Sequence, residues 1–356
     1  KMVFEQTSNT RTFEFSGSAK EWFGIWIVNL LLSLITIGIY SAWAKVRSKK
    51  YFYRNTHVEG RNFDYHATGG QILKGRLIVI AAIICFQIIL ALLPVIGLIL
   101  LIALIFFYPW LLIRAMIFNA SVSSFSNVRF KFDGTYRQAF KVYLFYPILC
   151  ALTLYTTLPI LDRTMKRFSI NNHRLGTATF EMNARIGAFY KAAFLALLWV
   201  ILVFVIAIFG MGLSFVGFGE DIFWSLENDP TLIFSIMGAF YAVFFIGFIP
   251  APFIYQAFTR NEVYNTTLLE GGHRLRSNVS APQLIWIAVS NLVVVVFTAG
   301  LMLPWAQIRT ARYLADHTAV DLGGSVDDFV GLQEKATSAL GDAYTDIEGI
   351  DVGLPV

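Results

Sequence analysis

Apolar residues in this chain come in long runs, and polar residues are confined to short stretches between them. Seven runs stand out: 22–44, two within 77–113, 142–161, 192–212, 231–259 and 284–306. Residues 77–113 carry no charge, and Pro94 and Gly97 mark a turn that divides them into two spans. A membrane-crossing helix needs about 20 residues. Between the runs the period drops to two. Glu59-Gly60 leads into alternating Phe63 and Tyr65, and VRFKFDG, TATFEM and EGGHRLRSN repeat that texture, so each reads as a β-hairpin. Residues 11–17, RTFEFSG, read as a strand.

The alternation of run and hairpin is itself repeated. Trp305 and Arg309 keep the spacing of Trp43 and Arg47, and Thr298-Ala-Gly300 stands where Thr36-Ile-Gly38 stands. Weaker copies lie between, led by Pro109-Trp110 with Arg114, by Pro159 with Arg163 and Arg167, and by Pro252 with Arg260. The reading is five passes of one design: apolar helix, basic helix end, polar hairpin, return to membrane. It predicts a mainly α membrane protein, a repeat-built transmembrane or re-entrant helical bundle with a cytoplasmic layer of β-hairpins. The expected divisions are an N-terminal strand segment (1–20), a membrane domain (21–320) and a C-terminal tail (331–356). The hairpins fall at about 48–70, 119–138, 166–186, 261–280 and 313–330, with Phe63, Phe130 and Phe180 on the buried face of their layer.

The segment FxFxGxxxEWFGIWIVNLLLSLITIGIYSAWAKVRSKKYFY, with LPWAQIRTARYLADHT near the C-terminus, resembles the YjgN family of bacterial inner-membrane proteins. The likeness runs roughly from Thr12 to Thr318, and Trp-Ala-Lys-Val-Arg is its most specific part. It implies a multi-pass protein of the inner membrane. The family's domain is one of unknown function, so the resemblance brings no active site with it.

Composition agrees with the runs: 56% of 356 residues are hydrophobic, 14% are charged, and there are 33 Phe. Soluble domains carry about 25% charged residues. The net charge of +5 matters less than where it falls. Every hairpin region is basic, whereas residues 213–229 lack Lys and Arg and carry Glu220, Asp221, Glu227 and Asp229. The positive-inside rule then puts all five hairpins in the cytoplasm and 213–229 outside. For that, runs 22–44, 142–161 and 284–306 must begin and end on one face as half-depth hairpins. Ser33 to Gly38, Thr298 to Gly300, and Pro147 with Thr153 are their break candidates. The competing reading keeps three full spans and basic loops on both faces.

Candidate chemistry is sparse. Cys85 and Cys150 lie in apolar runs and read as buried small residues. His57, Asp64 and His66 form the one cluster to probe for metal, and no metal or cofactor is expected. Gly60, Gly134, Gly176, Gly271 and Gly272 read as turn glycines. Asn29 and Asn291 are intramembrane amides at matching repeat positions, suited to bonding between helices or to contacting a substrate. The strongest candidates are the basic helix ends: Trp43, Arg47, Trp110, Arg114, Arg163, Arg260, Trp305 and Arg309. Trp suits the headgroup level and Arg suits phosphate, so these residues are anchors or an anionic-lipid site. The function expected is a non-enzymatic protein that contacts membrane phospholipids and scaffolds another membrane protein or a second copy of itself. A lipid or small-solute transporter or channel is the alternative. Nucleic acid is not an expected partner.

Overall fold

A computed structural model describes residues 9–218 and 230–347. Strand β1 (Thr10–Phe15) precedes a helical pair, α1 (Ala19–Ile35) and α2 (Ser41–Arg54), which leads into β2 (Thr56–Val58) and β3 (Arg61–Tyr65). The pair α3 (Gly69–Leu92) and α4 (Pro94–Ser121) follows, then β4 (Ser123–Phe125) and β5 (Val128–Phe132). Next come α5 (Tyr136–Phe140), a π-helical turn (Lys141–Phe145), α6 (Tyr146–Leu152) and α7 (Leu158–Asn171), leading to β6 (His173–Leu175) and β7 (Ala178–Met182). Helices α8 (Ile186–Phe218), α9 (Pro230–Phe248) and α10 (Pro250–Asn265) precede β8 (Thr267–Leu269) and β9 (His273–Ser277). Last are α11 (Ala281–Phe297), α12 (Leu303–Asp316), β10 (Thr318–Asp321) and α13 (Val326–Ile347).

The strands form a closed ten-stranded barrel, antiparallel throughout, in sequence order around the ring. This corrects the expectation of a helical bundle with a layer of hairpins. Consecutive hairpins pair edge to edge, as where Phe63 faces Phe125 and Phe180 faces Leu269, and β1 closes the ring between β2 and β10. Closure leaves no strand edge unpaired. The fifth hairpin expected at 313–330 is therefore split, with β10 paired to the N-terminal strand. Inward positions alternate with outward ones. Phe13, Phe63, Phe130 and Phe180 pack inside on Val58, Phe125, Leu175 and Val320, while Arg129, Lys131 and Arg274 on alternate positions stay exposed. Helix α13 starts within the last expected hairpin, runs into the tail, and lays Val326, Phe329 and Val330 over the barrel's outer mouth. Arg61 pairs there with Asp327.

Four of the apolar runs hold helices long and apolar enough to cross a membrane: 69–92, 94–121, 186–210 and 233–265. Little of them is buried inside the protein, as suits lipid-facing surface. The part of the expected outer loop that carries its four acidic residues lies outside the described residues.

The other three runs break in the middle, each in the same way. Thr36, Thr153 and Thr298 end their helices, and each hydroxyl donates to the carbonyl four residues back at 2.7, 2.9 and 2.7 Å. The next two residues take positive φ: Ile37 and Gly38, Leu154 and Tyr155, Ala299 and Gly300. The second of each pair donates its N–H five residues back, to Ser33, Cys150 and Val295, at 2.7–2.8 Å. This is a Schellman-type stop that satisfies the helix end from within. Of the two break candidates in 142–161, Thr153 is the stop, whereas Pro147 follows the π turn; the proline lacks the N–H that an α turn would use there.

Candidate functional site

The residues singled out in the sequence fall into separate settings. Arg309 on α12 donates from Nη1 to Ser290 Oγ at 2.6 Å and to Asn291 Oδ1 at 3.0 Å, with its guanidinium 5.2 Å from the Trp305 ring. Asn291 returns two bonds from Nδ2, to the Ala306 carbonyl at 3.2 Å and Thr310 Oγ1 at 3.1 Å. The first helical pair repeats this loosely. Arg47 reaches Asn29 Oδ1 at 3.4 Å and the Tyr40 hydroxyl at 3.1 Å, and Asn29 Nδ2 is buried without a partner. The structure thus joins two sets of candidates, arginines and amides, that the sequence presented separately.

A second clamp recurs in the same two pairs. The Tyr51 hydroxyl accepts the Ser18 N–H at 2.9 Å and donates to its carbonyl at 3.1 Å; Tyr313 does the same to Ser280 at 2.9 and 3.2 Å. The first and last pairs are also tied together, through Trp22 Nε1 to Gln307 Oε1 at 2.7 Å and Arg312 to the Gly17 carbonyl at 2.9 Å. Between them lies a cleft of about 390 Å³ lined by Trp305, Arg309, Arg312, Tyr313 and Asp316. Two guanidinium groups and an indole there present the chemistry an anionic headgroup needs. Burial pushes the Asp316 carboxyl up, against the pull of His317 and Arg312.

The remaining candidates go elsewhere. Arg114 lies 5.2 Å over the ring of Trp110. Trp43 makes no such stack with Arg47; its ring covers Gly69, where a Cβ would lie 2.4 Å from it. Gly69 is therefore there for room. Arg163 donates to the Ala184 carbonyl at 2.6 Å, holding the end of β7. Arg260 faces into the barrel, donating to Tyr264 Oη at 3.1 Å and Thr318 Oγ1 at 2.8 Å. Four of the five expected turn glycines have positive φ, but Gly134 does not. A Cβ at Gly134 would sit 2.4 Å from the Phe132 ring, so that site needs a close approach rather than a special dihedral.

His57, Asp64 and His66 do not converge. Asp64 accepts two bonds from Arg54 at 3.0 and 3.1 Å; burial alone would raise its carboxyl, but those bonds and the Tyr65 N–H hold it below the usual range. His66 lies 2.8 Å from Ser124 Oγ, and His57 lies 3.1 Å from Ser16 Oγ. Among the described residues no group of three His, Cys, Asp or Glu could hold a metal.

Known proteins match most of the chain. A family model described as a bacterial protein of unknown function (DUF898) matches residues 10–347. The chain belongs to that family. The inner membrane protein YjgN of Salmonella typhimurium is 26% identical over 360 residues, covering 90% of each chain. YjgN of Escherichia coli O157:H7 is 31% identical over 159 residues, 44% of this chain and 39% of its own. No solved structure matches. With four long apolar helices among the described residues, this DUF898 chain is a multi-pass protein of the bacterial inner membrane.

One polar cluster of the DUF898 chain escaped the sequence reading. Asp162 Oδ2 accepts from Lys166 Nζ and from the Tyr255 hydroxyl, both at 2.8 Å, and Lys166 also donates to Thr259 at 3.2 Å. This network ties α7 to α10. Only the four-residue spacing of Asp162 and Lys166 hinted at it, and their tertiary partners lie 93 positions further on.

Proposed function

We propose that this protein is a non-enzymatic, lipid-contacting element of the inner membrane, built from five repeats. Its helical pairs stand at two depths, and its barrel sits against the cytoplasmic face. The observation that carries the reading is the tips of the three short pairs. Ile37 is 93% exposed, Leu154 85% and Phe297 87%, all next to turns whose backbone groups are already bonded. Bare apolar tips with satisfied backbone suit the hydrocarbon interior and no aqueous setting. The basic residues gather at the barrel ends of the same helices, as the positive-inside rule asks of a cytoplasmic face. The cleft of Trp305, Arg309 and Arg312 then lies at the depth of the headgroups and takes anionic lipid, while the exposed Arg129, Lys131 and Arg274 of the barrel wall are available to a protein partner.

The test is lipid analysis of the protein released gently from its native membrane. Arg309→Lys and Arg312→Gln should lower co-purifying anionic lipid relative to zwitterionic lipid. Unchanged lipid in both variants would leave these residues as topology signals. A second reading, movement of an apolar solute or lipid, is favoured by a groove of about 700 Å³ on the helices, lined by Leu198, Trp199, Phe258, Ile285 and Trp286. Uptake by proteoliposomes decides between the two.

A further inference from the structure

The barrel interior contains a chamber of about 430 Å³. Its size has a geometric cause. Eight strands already enclose a space that side chains just fill or that holds one small ligand, and the diameter grows with strand number. Ten strands carrying phenylalanines inward leave a central space, and this one falls within the range of small-molecule sites. The wall is apolar almost throughout, with Phe63, Phe130, Phe180 and Leu275 among its residues. Helix α13 covers one end through Val326 and Phe329; α10 and α12 supply the other.

The exception is Arg260 at the helix end of the chamber. Among the described residues no carboxylate lies within ion-pair distance of it. Its two bonds go to neutral hydroxyls, and its guanidinium carbon stands 4.1 Å from the centre of the Tyr264 ring. Its Nε is buried without a hydrogen-bond partner. A guanidinium has five N–H donors and cannot lose its charge in a protein. A cation facing an apolar chamber with a spare buried donor is half of an ion pair. His273, at the opposite end, takes the Gly323 N–H on Nδ1 at 3.3 Å and brings no second cation.

We infer that the barrel binds a single-chain amphiphile with one anionic head, a fatty carboxylate or a lysophosphatidate, its head at Arg260 and its chain among the phenylalanines. A nucleotide or other polar polyanion would meet one cation and a wall of rings; a neutral lipid would leave the Arg260 charge uncompensated. This site is separate from the headgroup cleft and does not rest on that reading.

The test uses the full chain in phosphatidylcholine nanodiscs, with the fluorescent fatty acid cis-parinaric acid and its methyl ester as probes. The acid should bind saturably, at least tenfold more tightly than the ester. Arg260→Met should remove that preference, since Met keeps the apolar length and drops the charge. Leu275→Trp, which fills the chamber, should weaken both probes. Competition by palmitate and by lysophosphatidate tells which head is preferred, and displacement by either supports the site. Equal binding of acid and ester, full binding to Leu275→Trp, or an intact preference in a folded Arg260→Met overturns it. Should Arg260→Met fail to fold, Leu275→Trp and the acid-to-ester ratio of the unaltered chain decide alone.

Discussion

The two asparagines give the sharpest test of how the helical pairs are held. Asn291 makes three hydrogen bonds, one to the charged Arg309. A bond to a charged group is worth about 1.5–3 kcal/mol and a neutral one about 0.5–1.5, although polar contacts in membranes average nearer 0.6. Replacing Asn291 by Leu removes all three and returns some apolar contact, for a net loss of about 3 kcal/mol. Asn29 differs: its one bond, to Arg47, is long at 3.4 Å, and its Nδ2 is buried and unpaired. Removing an orphaned buried donor relieves about 1–3 kcal/mol of desolvation. Asn29→Leu should therefore be neutral or stabilising. At about 2 °C per kcal/mol for a large chain, thermal unfolding in one detergent should show Asn291→Leu lower by roughly 6 °C and Asn29→Leu unmoved or higher. A cycle with Arg309→Lys should be non-additive with Asn291→Leu. Equal destabilisation by both leucine variants would refute the reasoning, because it would mean that position alone sets the cost.

Further outcomes follow from other contacts. Cysteines placed at the exposed barrel positions Lys131 and Arg274 should react with impermeant reagents only from the cytoplasmic side, and one at Ile37 from neither; labelling of Lys131→Cys from the periplasm would break the same-side arrangement. Gly69→Ala should displace the Trp43 ring that now covers that position, at a cost of about 1–3 kcal/mol for overpacking, read as a drop in melting temperature that Trp43→Ala in the same chain relieves. Burial holds the His273 imidazole below its ordinary value of 6.5. The unfolded chain then takes up the proton first, so the contribution is complete above pH 6.5 and lost as pH falls below it. Urea unfolding at pH 7.5 and 5.5 should show a smaller loss for His273→Phe than for the unaltered chain.

Much of this was legible in the sequence because the signals are periodic. Phe63, Phe130 and Phe180 stand on the inner face where their alternation put them, and Thr36-Ile-Gly and Thr298-Ala-Gly break their helices as the paired spacing indicated. The third break was named as Pro147 with Thr153, and of the two only Thr153 ends its helix; Thr153-Leu-Tyr carries no glycine to single it out beside the conspicuous proline. Barrel closure was not legible: it depends on Thr10 meeting Asp321 across the whole chain, and no local pattern records such a pairing. Arg260 looked like one more basic helix end because its direction depends on where α10 docks. The first and last clamps, Tyr51 on Ser18 and Tyr313 on Ser280, needed a tertiary contact to be seen at all.

A ring that joins its earliest strand to its latest also sets a condition on biosynthesis. Until β10 emerges, β1 and β2 wait through four further rounds of helix insertion with β1's outer edge open. Open edges invite pairing with other chains, and contacts this distant in sequence form slowly. A ribosome stalled just before Thr318 therefore leaves a product with two sticky edges beside an intact set of membrane anchors. Such a fragment is a substrate for membrane quality control rather than a partly working protein.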